Sequence, residues 1–143
     1  MSHRFIEDEA TADIAFEARG KDLPEVFRAA SDAVINVMVD NYTDIQPSEH
    51  RKIEATADAL DLLLLDLLQN LIYYKDAERL LLRITQVEIS GAEGNWHLNA
   101  LGEGERIDSK RHLLRVDVKA VTLHNFRLEQ TPGGWLAHVI LDI

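Results

Sequence analysis

At Leu80 the hydrophobic period of this sequence changes, and that change limits the fold more than any other feature. Before it, Leu23, Val26, Phe27, Ala30, Val34, Val37 and Met38 recur at three-and-four spacing, one apolar stripe of a helix that packs on a sheet. After it, Leu80, Leu82, Ile84, Val87 and Ile89 alternate up to a turn at 91–95, and Trp96, Leu98, Ala100 and Leu101 return, as in a hairpin. Val116, Val118, Ala120 and Val121 begin another strand that runs through Thr122 to Phe126, Leu128 and Glu129. The Pro132-Gly133-Gly134 turn then leads into a last strand over 135–143. Between the hairpin and these strands, the polar, Gly-containing stretch 102–111 reads as a loop.

The first half supplies the helices. An early strand over 13–19 carries Ile14, Phe16 and Ala18 on one face and Asp13, Glu17 and Arg19 on the other. Gly20 and Lys21 turn the chain, Asp22 caps the first helix with Glu25 completing a capping box, and Pro24 fits its first turn. That helix ends near Asp40-Asn41, and a loop with Pro47 follows to about His50. A short strand over 53–56 precedes a second helix, capped by Asp58 with Asp61 near the positive end of its dipole. Leu60, Leu62, Leu63, Leu64, Leu65, Leu67, Leu68, Leu71 and Ile72 surround most of that helix, which predicts burial on more than one side, in the core or against another subunit. Helices inserted early and strands joined late predict an α+β fold: two helices packed on a mainly antiparallel or mixed β-sheet, one domain over 1–143.

Composition removes several function classes. With no cysteine there is no disulfide scaffold, thiolate nucleophile or sulfur-ligated metal, which fits a reducing compartment. Fifteen Lys and Arg against twenty-five Asp and Glu leave a net charge of −10. Tight nucleic-acid binding neutralises phosphates with basic residues, so direct RNA or DNA binding is not expected, while the charge still allows steering toward a basic surface on a protein partner. Glu7, Asp8 and Glu9 interrupt any leader pattern, and the apolar stretch 60–74 is too short and too polar for a membrane span. The expectation is a cytoplasmic protein with no membrane contact.

No serine stands in a strained Gly-flanked elbow, Gly102-Glu103-Gly104 lacks a later glycine and a following helix, and the six histidines are dispersed. An enzyme is therefore not expected. What remains is oxygen chemistry. Asp13 lies in Thr11-Ala12-Asp13-Ile14, and the last strand ends Leu141-Asp142-Ile143. If the two strands meet, Asp13, Asp142 and the carboxylate of Ile143 form an all-oxygen cluster suited to Ca²⁺ or Mg²⁺. The plainer alternative is a turn-capping Asp13 and a solvated Asp142. Lys119, a lone cation in Val118-Lys119-Ala120-Val121-Thr122, either compensates the cluster or simply faces solvent.

Taken in order, Phe5-Ile6, Thr11-Ala12-Asp13-Ile14, the turn and helix over 20–27, Arg111-His112, Val118-Lys119-Ala120-Val121-Thr122-Leu123-His124 and Val139-Ile140-Leu141-Asp142-Ile143 resemble the archease family over nearly the whole chain. The resemblance implies a small non-catalytic activator of an RtcB-type RNA ligase, acting in tRNA splicing and RNA repair. Such an activator promotes guanylylation of the ligase and hence multiple turnover. It implies a divalent metal site, usually calcium, at Asp13, Asp142 and Ile143, and a functionally important lysine at Lys119. Two positions depart from the family pattern: Ala10 stands where a histidine is usual, and Leu113-Leu114-Arg115 replaces a Gly-containing turn. A general interaction or chaperone-like module and a metal-dependent hydrolase are the competing readings. The leucine-rich helix leaves monomer and homo-oligomer both open.

Overall fold

A computed structural model describes residues 1–6 and 13–143. Glu7, Asp8 and Glu9, and the Ala10-Thr11-Ala12 part of the family motif, lie outside the described residues. The elements are β1 (Ser2–Ile6), β2 (Asp13–Gly20), α1 (Leu23–Met38), a 3-10 turn (Tyr42–Asp44), β3 (Glu49–Ala57), α2 (Leu60–Glu78), β4 (Leu80–Ala92), β5 (Asn95–Arg106), β6 (Ala120–Thr131) and β7 (Gly134–Asp142). The fold is α+β with antiparallel pairing, but the strands divide between two sheets, ordered β1-β2-β7-β6 and β3-β5-β4. Among the described residues, no helix is long and apolar enough to cross a membrane.

Helix α1 begins as its sequence dictates. The Asp22 carboxylate accepts the Glu25 N–H at 2.9 Å, and Pro24 sits in the first turn. The Glu25 carboxylate reaches back one residue beyond the cap and accepts the Lys21 N–H at 3.2 Å. Its environment is the surprise, because α1 packs against β1, β2 and β7 of one sheet and against β4 of the other. Eleven of its sixteen residues are buried, among them Ala29, Ala30, Ser31 and Ala33, which makes it the more enclosed helix, although α2 also meets both sheets. Small side chains let two layers approach it at once. Helix α2 packs against β3, β4 and β5 of one sheet, β6 of the other and α1, burying Leu63, Leu64, Leu67, Leu68, Leu71 and Ile72, while Leu62 at 45% and Tyr73 at 60% stay exposed.

Four further sequence expectations need correction. Ala59, not Asp58, occupies the cap of α2 and makes no side-chain cap bond; the Asp58 carbonyl instead accepts the Gly94 N–H at 2.9 Å. The strand expected over 53–56 extends to Glu49–Ala57, because β5 offers it a partner at every step. The loop expected over 102–111 is strand as far as Arg106. Gly104 is there because a Cβ would stand 1.7 Å from the Leu81 carbonyl oxygen, so only glycine lets β5 lie this close to β4. Lastly, Val116 and Val118 precede β6 rather than begin it. The segment 107–119 thus carries no helix or strand, apart from one bridge between Leu114 and Val39.

Candidate functional site

The site is set by the register of β2 against β7. Ile14, Phe16 and Ala18 lie opposite Leu141, Val139 and Ala137, and all six pack into or against the core. A one-residue slip of β2 would put Asp13, Glu17 and Arg19 on the face where Ile14, Phe16 and Ala18 now pack, which disfavours any other pairing. Asp13 is thereby placed directly opposite Asp142, at the end of the sheet. Side chains of directly opposed residues share a face, with Cβ atoms roughly 4.5–5.5 Å apart. On the far side of β7, Asp142 is opposed by Ala120, a small residue that leaves room around the acid pair. Both aspartates and Ile143 are half-buried.

Lys119 joins this corner through its backbone. Its N–H donates to the Asp142 carbonyl at 2.8 Å, just before β6 takes up pairing with β7, and the residue is exposed. The structure therefore brings together Asp13, Asp142 and the main chain of Lys119, with Ile143 next in sequence. Among the described residues, no three His, Asp or Glu side chains gather closely enough to hold a metal ion. The two opposed carboxylates are hard oxygen donors that fit a Ca²⁺ or Mg²⁺ ion in kind, yet fall short of the six to eight oxygens that Ca²⁺ takes.

Two clusters that hold the 107–119 segment leading to Lys119 went unread in the sequence. Lys75, near the end of α2, is only 6% exposed. Its Nζ donates to Asp117 Oδ1 at 2.6 Å and to the Val118 carbonyl at 2.7 Å, and lies 2.5 Å from Asp76 Oδ1. The signal was available, since Lys75 continues the buried stripe of Leu64, Leu68 and Leu71 at helical spacing. The second cluster holds the start of the 107–119 segment. His112 is buried, its Nδ1 accepts the Asp108 N–H at 2.9 Å, and its Nε2 faces Glu105 Oε2 at 3.4 Å. Glu105 also accepts the Gln46 N–H at 2.6 Å and pairs with Arg111. Burial pushes the Glu105 carboxyl up, but the Gln46 N–H, Arg111 and His112 outweigh it and hold the group below its usual range.

Comparison with known proteins agrees with this architecture. The model of the archease protein family (MTH1598/TM1083) matches residues 4–143. Protein archease of Pyrococcus abyssi is 35% identical over 136 residues, covering 94% of this chain and 95% of the relative. Protein archease of Methanosarcina mazei is 37% identical, covering 94% and 92%. The solution structure of Methanobacterium thermoautotrophicum protein 1598 superimposes with a TM-score of 0.83 at 34% identity, over 99% of this chain and 98% of that one. The crystal structure of a Thermotoga maritima archease, described as a possible chaperone, shares the fold with a TM-score of 0.64 at 17% identity, over 96% of each chain.

Proposed function

Because this chain belongs to the archease family, we propose that it is a non-catalytic protein cofactor of an RtcB-type RNA ligase, promoting guanylylation of the ligase and hence its multiple turnover. The single observation that supports this reading is the register of Asp13 against Asp142, with the Lys119 amide tied to the Asp142 carbonyl. Two like charges on one face of a sheet repel, and the repulsion is relieved by a divalent cation or by a lysine. Asp13, Asp142 and Ile143 would hold that cation, with calcium favoured over magnesium because irregular, partly filled oxygen sites suit it better. When bound, the ion supplies a positive charge that can orient phosphate oxygens. Among the described residues Asp13 and Asp142 alone do not complete the coordination shell, and the ion is best held between this chain and the nucleotide cleft of the ligase. A net charge of −10 favours encounter with a basic, RNA-binding partner and makes the association salt-sensitive.

The test is guanylylation and turnover of the cognate ligase with substoichiometric amounts of this protein. Asp13→Asn, Asp142→Asn and Lys119→Ala should each abolish most of the stimulation while circular dichroism and melting temperature stay near wild type. Full stimulation by all three variants would refute the assignment. Phosphatase or nuclease activity of the protein alone, lost in the same variants, would favour a hydrolase instead.

A further inference from the structure

We propose that Lys75 is a positioning residue for Lys119, acting through the peptide group that joins Val118 to Lys119. That peptide group is held at both ends. Its carbonyl oxygen, on Val118, accepts from Lys75 Nζ at 2.7 Å, and its N–H, on Lys119, donates to the Asp142 carbonyl at 2.8 Å. One tie runs to α2 and the other to β7. A peptide unit is planar, so fixing both its polar atoms fixes the direction in which the chain leaves it. Lys119 has no strand pairing of its own, and five exposed residues, Leu113 to Asp117, precede the buried Val118. Its orientation therefore depends on this clamp more than on packing.

The choice of residue fits the task. An ammonium has several donors, and here one meets the carbonyl while the Asp117 and Asp76 carboxylates keep the charge compensated. Lys75 also lies in the last turn of α2, where the helix dipole favours a cation. A lysine wanted only for an ion pair need not be buried, since both acid partners are exposed. Burial is what the Val118 carbonyl demands.

This inference rests on the reading that Lys119 acts on the partner, so its test has one arm that needs no partner. Amide hydrogen exchange of the whole protein is measured for wild type, Lys75→Met, Lys75→Gln (a polar tip too short to span the gap) and Lys75→Arg. Loss of a hydrogen bond from a charged donor should speed exchange at the Lys119 amide by about tenfold or more in the Met and Gln variants. Interior amides of α1, which report global opening, should be unchanged, and Arg should restore the slow rate. An unaltered Lys119 amide in both variants overturns the proposal, as does equal acceleration throughout α1. In the second arm, Lys75→Met should lower ligase stimulation in the wild-type background and add nothing in the Lys119→Ala background. An additional loss there would show that Lys75 acts independently of Lys119, against the proposal. If instead Lys119→Ala stimulates fully while its amide in Lys75→Met exchanges fast, the positioning stands and the reading of Lys119 falls.

Discussion

The frame of helices and sheets and the 107–119 segment both rely on an ion pair between a helix and another element, but with the burial reversed. In the frame, Asp32 of α1 is buried at 4% exposure and receives both Nε and Nη2 of Arg83 on β4, at 3.2 and 3.0 Å. Arg83 is the partly exposed member, stacked over Tyr42 at 5.1 Å. In the segment, the cation is buried and its partner Asp117 is 67% exposed. The frame pair joins two regular elements already packed on each other, so its loss weakens the core. The segment has no regular structure of its own, and beside backbone bonds at Ile107, Leu113, Arg115 and Lys119 its main chain is held by side chains reaching in from outside: Lys75 on Val118, and Asn41 on Leu113 and Arg111. Burial of a charge thus serves cohesion in one region and direction in the other.

The largest effect should come from Arg83→Ala, which leaves the Asp32 carboxylate buried and unpaired. Breaking such a pair costs about 3–5 kcal/mol, read from urea unfolding. Ligase stimulation per folded molecule should be unchanged; a loss of under about 1 kcal/mol would erase the contrast between the two regions. Next is the pH dependence of Glu105. Its carboxyl lies below its usual range in the folded protein, so its contribution is present above the unfolded pKa and is lost as pH falls through the folded value. Glu105→Gln should therefore flatten the acid limb of the stability curve below about pH 4.3, with little pH-dependent change near neutrality. An unaltered acid limb would show that Glu105 does not anchor the segment. The smallest effect is expected of Asn41→Ala, which removes the acceptor of the Leu113 N–H: about 1 kcal/mol in global stability. Exchange at the Leu113 amide should nevertheless accelerate, and equal acceleration in α1 would mean that segment and frame open together.

The regular parts of this molecule were legible where a local rule sufficed. Asp22 with Glu25 and Pro24 marks the start of α1, and the alternation of Leu80 to Ile89 with its return at Trp96 marks the hairpin. The opposition of Asp13 and Asp142 could be posed only as a condition, that the first and last strands meet, because β7 is buried on both faces and its run of apolar residues does not set a register by alternation. Features that depend on what lies across the gap could not be read. Gly104 looks like a loop residue until the Leu81 carbonyl is beside it, and the alanines of α1 mark the most enclosed helix only once both sheets are in place. The same holds for β1, which was not anticipated: five residues read as a strand only beside β2.

The sheet order β1-β2-β7-β6 puts a strand from the far end of the sequence between two others, with residues 13–20 sealed against 135–142. During synthesis the β1–β2 hairpin must wait for almost the entire chain before its open edge is covered. Contacts so distant in sequence slow folding, and an uncovered edge invites pairing with a neighbouring nascent chain. The two acids meet only at that closing step, so their mutual repulsion opposes the final zippering. Divalent salt should therefore quicken refolding of the wild type more than of Asp13→Asn, an effect measurable by stopped-flow tryptophan fluorescence with Trp96→Phe introduced in both, so that Trp135 alone reports.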